Sequence, residues 1–409
     1  MKNRKRLLII SGAINFGAPG KIVEQIGLLA EKDGYEVLVA HSTRNENPSQ
    51  LSHIHITTFW QEIRHALGAR LFDLHGLLST RQTEILIDKI KAFEPDIIHL
   101  HNIHGYFLNF RVLFEYLKTI DIPIIWTLHD CWAFTGRCFH FEGIGCEKWK
   151  TECHDCKAEK GYTVSPFYDR SQQLYNLKKS LIPSVRNLTL VPVSEWLSKF
   201  LKDSFLKNCN VTVIQNGVDL NVFRPLNGDR LRVKHGLHSK FVILGVAAPW
   251  NKRKGLDDFF KLRELLSDDY AILLVGLSQK QVNHLPKGII GITRTESQSE
   301  LAEYYSMSDV FCNLTYLDTF PTVNLEALAC GTPIVTYRTG GSPEAVNEST
   351  GIIVPQGDIS AIANTLNEIK SQSRFKAADC RKHAETHFNK DKQFQKYIEL
   401  YKQLLSSNN

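Results

Sequence analysis

VFCNLTYLDTFPTVNLEALACGTPIVTYR, residues 310–338, decides the fold. It opens with a short apolar run (310–314) that reads as a buried strand. A loop follows, and then good helix formers with Thr322 as the expected N-cap. Gly331 and Pro333 stop the helix, and TPIVTYR (332–338) reads as a second strand. Short apolar strands separated by helices build a parallel sheet covered on both faces. The loop carries Asp318 and the helix carries Glu326, so two carboxylates sit near one helix N-terminus.

The same alternation extends in both directions. Further strands are expected at 241–247, 270–276 and 350–355 in the second half, and at 6–11, 36–42, 96–101, 123–129 and 188–194 in the first. KIVEQIGLLAEKDG (21–34) is typical of the helices between them, with Gly34 as its stop. The stretch 214–232 is rich in turn residues and lies where the halves meet. The expected architecture is α/β: two doubly wound, Rossmann-like domains facing each other across a cleft. The boundaries are 1–205 for the first and 206–387 for the second, with a last helix, 388–409, folding back on the first. Ligands in such sheets bind at the carboxyl ends of strands.

A chain of 409 residues suits two domains of roughly 200 each. A hydrophobic content of 43% and a charged content of 22% are those of an ordinary globular protein. No apolar run approaches the length of a membrane span. The N-terminal MKNRKRLLIIS has too short an apolar core for a signal peptide, so a cytoplasmic location is expected. The net charge of +6 falls short of a nucleic-acid binder and suits a polyanionic small ligand. It also suits peripheral contact with an acidic inner-membrane face, through Lys2, Arg4, Lys5, Arg6 and LYNLKKSLIP (174–183).

Two readings fit the acid pair. Asp318 and Glu326 could merely favour the helix N-terminus electrostatically. Alternatively, phosphate sits on the free N–H groups and the two acids accept hydrogen bonds from hydroxyls at either end of a sugar nucleotide. KRK (252–254) taken alone is a solvated cluster. His129 in TLHD (127–130) stands at a strand end, and HLHNIHG (99–105) adds His99, His101 and His104. In SGAINFGAPG (11–20), Gly17 and Gly20 open a helix where backbone can approach phosphate closely, which puts Gly17 among the expected donor-binding residues. Five of nine cysteines fall between 131 and 156, and Cys138, Cys146, Cys153 and Cys156 end in a C-x2-C pair. Free thiols, a closed structural zinc site and disulfides all remain open for them.

An acid, seven residues, a Glu, then A-x-G-x-P-[IV]-V and GGSPE (340–344) resembles the E-x7-E signature of family-4 retaining glycosyltransferases of the GT-B fold. TLHD, VSEW (193–196), NGVD (216–219) and RKG (253–255) match in order, so the resemblance covers nearly the whole chain. It is strongest to bacterial capsule, colanic-acid and O-antigen biosynthesis members. The first acid departs from the pattern, being Asp318 rather than Glu, and Ala248 stands where the family often has Arg, leaving that role to Arg253.

The resemblance implies transfer of a hexose from a nucleotide diphosphate sugar to a glycan or lipid-linked glycan. Glu326 would hold the ribose, and Asp318 with the amides of Phe320, Thr322 and Val323 would hold the sugar. Arg253 and Lys254 would neutralise the diphosphate. Base recognition would fall to backbone near GITRT (291–295), with Arg294 on the donor side; His129 would contact the transferred sugar, and His99, His101 and His104 would lie on the acceptor side. No D-x-D occurs, in keeping with chemistry that needs no catalytic divalent metal. A nucleotide-sugar 2-epimerase on the same fold and a non-catalytic sugar-nucleotide-binding relative are the competing functions.

Overall fold

The computed structural model describes residues 4–156, 165 and 167–407. The chain divides into two compact units, Met1–Ile214 with Phe394–Asn409, and Gln215–Gln393. Among the described residues the first unit holds strands β1 (Arg6–Ser11), β2 (Glu36–His41), β3 (His53–His55), β4 (Ile97–Leu100), β5 (Ile124–Leu128), β6 (Leu188–Pro192) and β7 (Asn210–Val211). They form one sheet in the order β3-β2-β1-β4-β5-β6-β7. The second unit holds β8 (Phe241–Val246), β9 (Tyr270–Val275), β10 (Ile289–Ile292), β11 (Val310–Asn313), β12 (Ile334–Tyr337) and β13 (Gly351–Val354), in the order β10-β9-β8-β11-β12-β13. Every pairing is parallel; Leu7 of β1, for example, lies beside both Val37 and Ile97.

Parallel strands buried on both faces need apolar residues at odd and even positions alike. In β1, Leu8 and Ile10 enter one core cluster with Ile98, Leu100 and Trp126. Leu7 and Ile9 enter a second cluster with Ile22, Val23 and Ile26 of helix Gly17–Lys32. Phe394, Tyr397, Ile398 and Tyr401 of the last helix, Lys390–Ser407, join that second cluster. Burying each such side chain is worth roughly 1.5–3 kcal/mol, which accounts for the last helix belonging to the first unit.

The strand order reverses between β1 and β4 in one sheet and between β8 and β11 in the other. At such a switch point, neighbouring strands send their following loops in opposite directions, and a crevice opens at their carboxyl ends.

Some expectations change. Strands β3, β7 and β10 were not anticipated: two of them are edge strands of two or three residues, too short to show a pattern, and β10 is also an edge. The expected break at 205/206 falls before the division at Ile214, because β7 pairs with β6. At the other end, Phe388 to Gln393 stay with the second unit, where Val218 N–H donates to Phe388 O at 2.7 Å and Lys390 Nζ pairs with Asp219 at 2.6 Å. Of the basic residues expected to meet a membrane, Lys2 lies outside the described residues. Lys5 pairs with Asp96, and Arg6 with Glu36 and Glu94. Lys178 is fully buried. No described helix is long and apolar enough to cross a membrane.

Candidate functional site

In the second unit the switch point brings the loops after β8 and β11 together. After β8 the chain makes a short turn, Lys252–Lys254, capped by Asn251, whose Oδ1 accepts from Lys254 N–H at 3.1 Å. Gly255 follows at φ +74°, and a Cβ there would lie 2.1 Å from the Leu314 carbonyl oxygen. Only glycine lets the two loops touch in this way. Arg253 Nη1 donates to Leu317 O at 2.8 Å, and Tyr316 N–H donates to Arg253 O at 2.8 Å. Lys254 Nζ reaches Asp318 Oδ2 at 2.6 Å, with the two side chains 19% and 22% exposed. The sequence-predicted cation and acid, 64 residues apart, are thus one ion pair.

Behind Asp318 lies the GGS loop. Gly341 N–H donates to the Asp318 carbonyl at 3.1 Å, and a Cβ on Gly340 would fall 1.8 Å from that oxygen. A buried network joins this loop to the helix: Asn313 Nδ2 donates to Asn324 Oδ1 at 2.8 Å, Asn324 Nδ2 to Ser342 Oγ at 2.9 Å, and Ser342 Oγ is 2.7 Å from Thr336 Oγ1. Four amide or hydroxyl groups that satisfy one another fix the position of the helix start. Sequence reading missed Asn324 and Thr336, because a polar residue in an apolar run does not announce its partner.

Helix Thr322–Ala329 starts one residue earlier than expected. Pro321 is its N-cap, in extended backbone, and Thr322 is the first helical residue. The loop arrives extended, and Asn324 N–H turns back to the Pro321 carbonyl. No side chain caps this helix and its first turn holds no acid, so its leading N–H groups, those of Thr322 and Val323, suit an anion. Phe320 just before it is buried, its carbonyl accepting from Asn216 Nδ2 at 3.2 Å. Glu326 Oε2 accepts from Tyr305 OH at 3.0 Å. Burial, reinforced by the Glu326 charge, drives the Tyr305 phenol well above its ordinary range, so it remains a donor. Tyr305 was another unanticipated partner. Arg294 is exposed after β10 and is not drawn into these contacts.

In the first unit a cavity of about 730 Å³ sits at the β1/β4 switch point. Its wall includes Gly12 and Gly17 after β1, Arg44 after β2, Asn102, His104 and Tyr106 after β4, and Phe139. Ile63, Ala66, Leu67 and Arg70 of helix Phe59–Phe72 close one side. That helix leaves Trp60 71% exposed and Leu67 56% exposed, with Phe59, Leu71 and Phe72 nearly as open. Neither the helix's contribution nor the cavity was legible in the sequence, since the wall is gathered from four separate loops.

The histidines divide into different roles. His99 is buried and binds Tyr401 OH at 2.7 Å and Thr127 Oγ1 at 2.8 Å, so it anchors the last helix and is not on the acceptor side as expected. His104 lines the cavity, its Nε2 2.7 Å from Asp130 Oδ2. His129 Nε2 lies 3.2 Å from His101 Nδ1, with the rings stacked. Burial pushes the His129 pKa down to about 4, so the ring is neutral near pH 7. Cys138, Cys146, Cys153 and Cys156 border a second, small cavity, and none is in a disulfide.

Comparison with known proteins agrees in both halves. The profile of Glycosyltransferase Family 4 matches residues 21–222, and that of Glycosyl transferases group 1 matches residues 228–387. The chain is 22% identical over 324 residues to the putative colanic acid biosynthesis glycosyl transferase WcaC of Escherichia coli strain K12, spanning 76% of this chain and 77% of the relative. It resembles the structure of sucrose-phosphate synthase from Thermosynechococcus elongatus, with TM-score 0.72 and 18% identity over 99% of this chain and 100% of the other. It also resembles HepE of Anabaena in complex with UDP-glucose, with TM-score 0.68 and 15% identity over 97% and 99%. With two parallel Rossmann-like sheets and both profiles covering most of its length, the chain belongs to the family-4, group 1 glycosyltransferases and is an enzyme of the GT-B fold.

Proposed function

We propose that this enzyme transfers a hexose, with retention, from a nucleotide diphosphate sugar to a lipid-linked surface-polysaccharide acceptor. The observation that carries the reading is the Lys254–Asp318 pair standing at the β8/β11 switch point beside an uncapped helix start. The departing nucleotide diphosphate gains negative charge as the glycosidic bond breaks. Lys254, Arg253 and the N-terminal end of the helix meet that charge with groups already oriented, which is the main way such a transition state is stabilised, while the N–H groups of Phe320, Thr322 and Val323 join Asp318 on the sugar. Asp318 holds the sugar, Glu326 the ribose, and Arg294 lies toward the base. Cationic side chains take the role that a divalent ion has elsewhere, so no catalytic metal is called for. His129 offers an uncharged imidazole to the sugar, and the leaving phosphate assists the incoming hydroxyl.

The first-unit cavity is the proposed acceptor site; His104 borders it, and so does Gly17, which the sequence suggests for the donor phosphate. A lipid carrier suits its surroundings: Trp60, Leu67 and Leu71 present apolar surface, and Arg44 and Arg70 on the cavity wall suit an anionic linkage. Contact with the cytoplasmic face of a membrane through this helix follows from the same surface. The relatives act in the same direction, WcaC being named for colanic acid biosynthesis and HepE holding UDP-glucose.

The test is a thermal-shift panel of UDP-, GDP-, ADP- and dTDP-sugars, followed by a transfer assay with the best donor. One base should raise the melting temperature, by an amount that grows with the logarithm of one plus the ratio of donor concentration to Kd. No shift with any sugar nucleotide would overturn the reading.

A further inference from the structure

The sequence left the fate of the cysteine cluster open; the tertiary arrangement favours one outcome. Cys138, Cys146, Cys153 and Cys156 line a single cavity of about 20 Å³, remote in kind from the sugar-nucleotide residues, which belong to the other unit. Cys138 and Cys156 Sγ are 3.8 Å apart. A disulfide would need about 2.0 Å. Two thiolates on one tetrahedral zinc, each at about 2.3 Å, stand about 3.8 Å apart. The other two sulfurs are less tightly drawn in, no three lying within 4.8 Å of one another.

The surroundings are those of an anionic cluster. Gly136 N–H donates to Cys153 Sγ at 3.3 Å, the kind of bond that orients and tunes a sulfur ligand. Cys156 N–H is fixed by Asp169 Oδ2 at 2.6 Å. Lys178 is fully buried beside the cluster, its Nζ donating to the carbonyls of Trp132, Thr135 and Gly136 at 2.8, 3.0 and 3.1 Å. The Arg137 guanidinium, on the same cavity wall, is buried too, and its charge is met by Asp73 Oδ2 at 2.9 Å. A zinc ion with four thiolates carries a net charge of −2, and the buried Lys178 ammonium, held on carbonyls, offsets part of it.

We propose that Cys138, Cys146, Cys153 and Cys156 bind one structural Zn²⁺, which pins the loop after β5 and so fixes a wall of the first-unit cavity. The link is direct: Phe139, which lines the cavity, is next to Cys138, and its carbonyl accepts from Cys131 N–H at 2.8 Å. Binding draws Cys146 and Cys153 inward as the four thiols lose their protons. The ion is closed off by protein ligands and takes no part in bond breaking.

The experiment uses the full chain, purified under reducing conditions without chelator. Elemental analysis should find one zinc per chain, falling to background in the Cys153→Ser/Cys156→Ser double variant. Exchange into Co²⁺ should give an intense thiolate-to-cobalt charge-transfer band with tetrahedral d–d bands. That spectrum separates this site from His41, Glu46 and His53, a second group of mutually close ligand atoms in the same unit, which contains no sulfur. Donor-induced thermal shifts should be unchanged in the variant while the acceptor KM rises, a split that tests the zinc independently of the sugar-nucleotide assignment. Wild-type chain with background metal, a cobalt spectrum lacking the sulfur band, or peptide mapping that finds these cysteines as disulfides in reduced cells would overturn the proposal, whether or not the variant folds.

Discussion

Replacing Lys254 by Met removes a charge without shortening the side chain much. Lys254 Nζ and Asp318 Oδ2 are 2.6 Å apart and largely buried. At an effective dielectric of about 20 their gross attraction is about 6 kcal/mol. Desolvation of both groups offsets most of it, leaving a coupling of roughly 0.5–3 kcal/mol. If Lys254 also contacts the diphosphate, its loss costs one charge-assisted hydrogen bond, about 1.5–3 kcal/mol, or roughly a 10- to 150-fold fall in kcat/KM. The unpaired Asp318 carboxylate then faces the diphosphate as a like charge. Asp318→Asn alone should chiefly lower kcat, and the double variant should lose less than the product of the two single losses, because the second substitution removes the exposed repulsion. Steady-state kinetics with the preferred donor, alongside melting curves, check this. Wild-type kcat/KM in Lys254→Met, or losses that multiply without coupling, would refute the assignment of this pair to the diphosphate and sugar.

Glu326→Gln should raise the donor KM with kcat nearly unchanged, because the ribose does not react and is gripped alike in ground and transition states; Tyr305→Phe, which removes the hydroxyl that holds Glu326, should shift KM in the same direction by less. Trp60→Ala with Leu67→Ser should lower co-sedimentation with acidic vesicles at low salt while leaving donor-induced thermal shifts intact; undiminished vesicle binding would remove the helix Phe59–Phe72 from that role. The first unit should lose stability in acid: burial pushes His65 and His129 down to about 4 and His99 to about 3, so below about pH 6.5 the unfolded chain takes up protons that the fold refuses. Stability present above that pH is lost as pH falls toward 4, at up to about 1.4 kcal/mol per pH unit per histidine, and melting curves flat across this window would contradict it.

Much of this protein was legible one segment at a time. Runs such as Leu7–Ile10 and Ile272–Val275 can only be strands buried on both faces, and their alternation with helices fixes a parallel α/β sheet. Asp318, Glu326, Arg253 and Lys254 were identifiable because their spacing and neighbours form a linear signature. What one dimension lacks is adjacency. That Lys254 touches Asp318 depends on β8 lying beside β11, and Gly255 and Gly340 are needed only because particular carbonyls approach them. Pro321 displaced Thr322 as the cap because the incoming loop is extended, a property of the path between strands. His99 looked like its neighbours in HLHNIHG until the last helix brought Tyr401 onto it from 302 residues away. Local pattern therefore determined the elements and the chemical type of the candidate site residues, because propensity and periodicity act over a few residues. The pairing of charges, the first-unit cavity and the gathering of four sulfurs were decided only by tertiary structure, because each depends on which strand ends the sheet order places side by side.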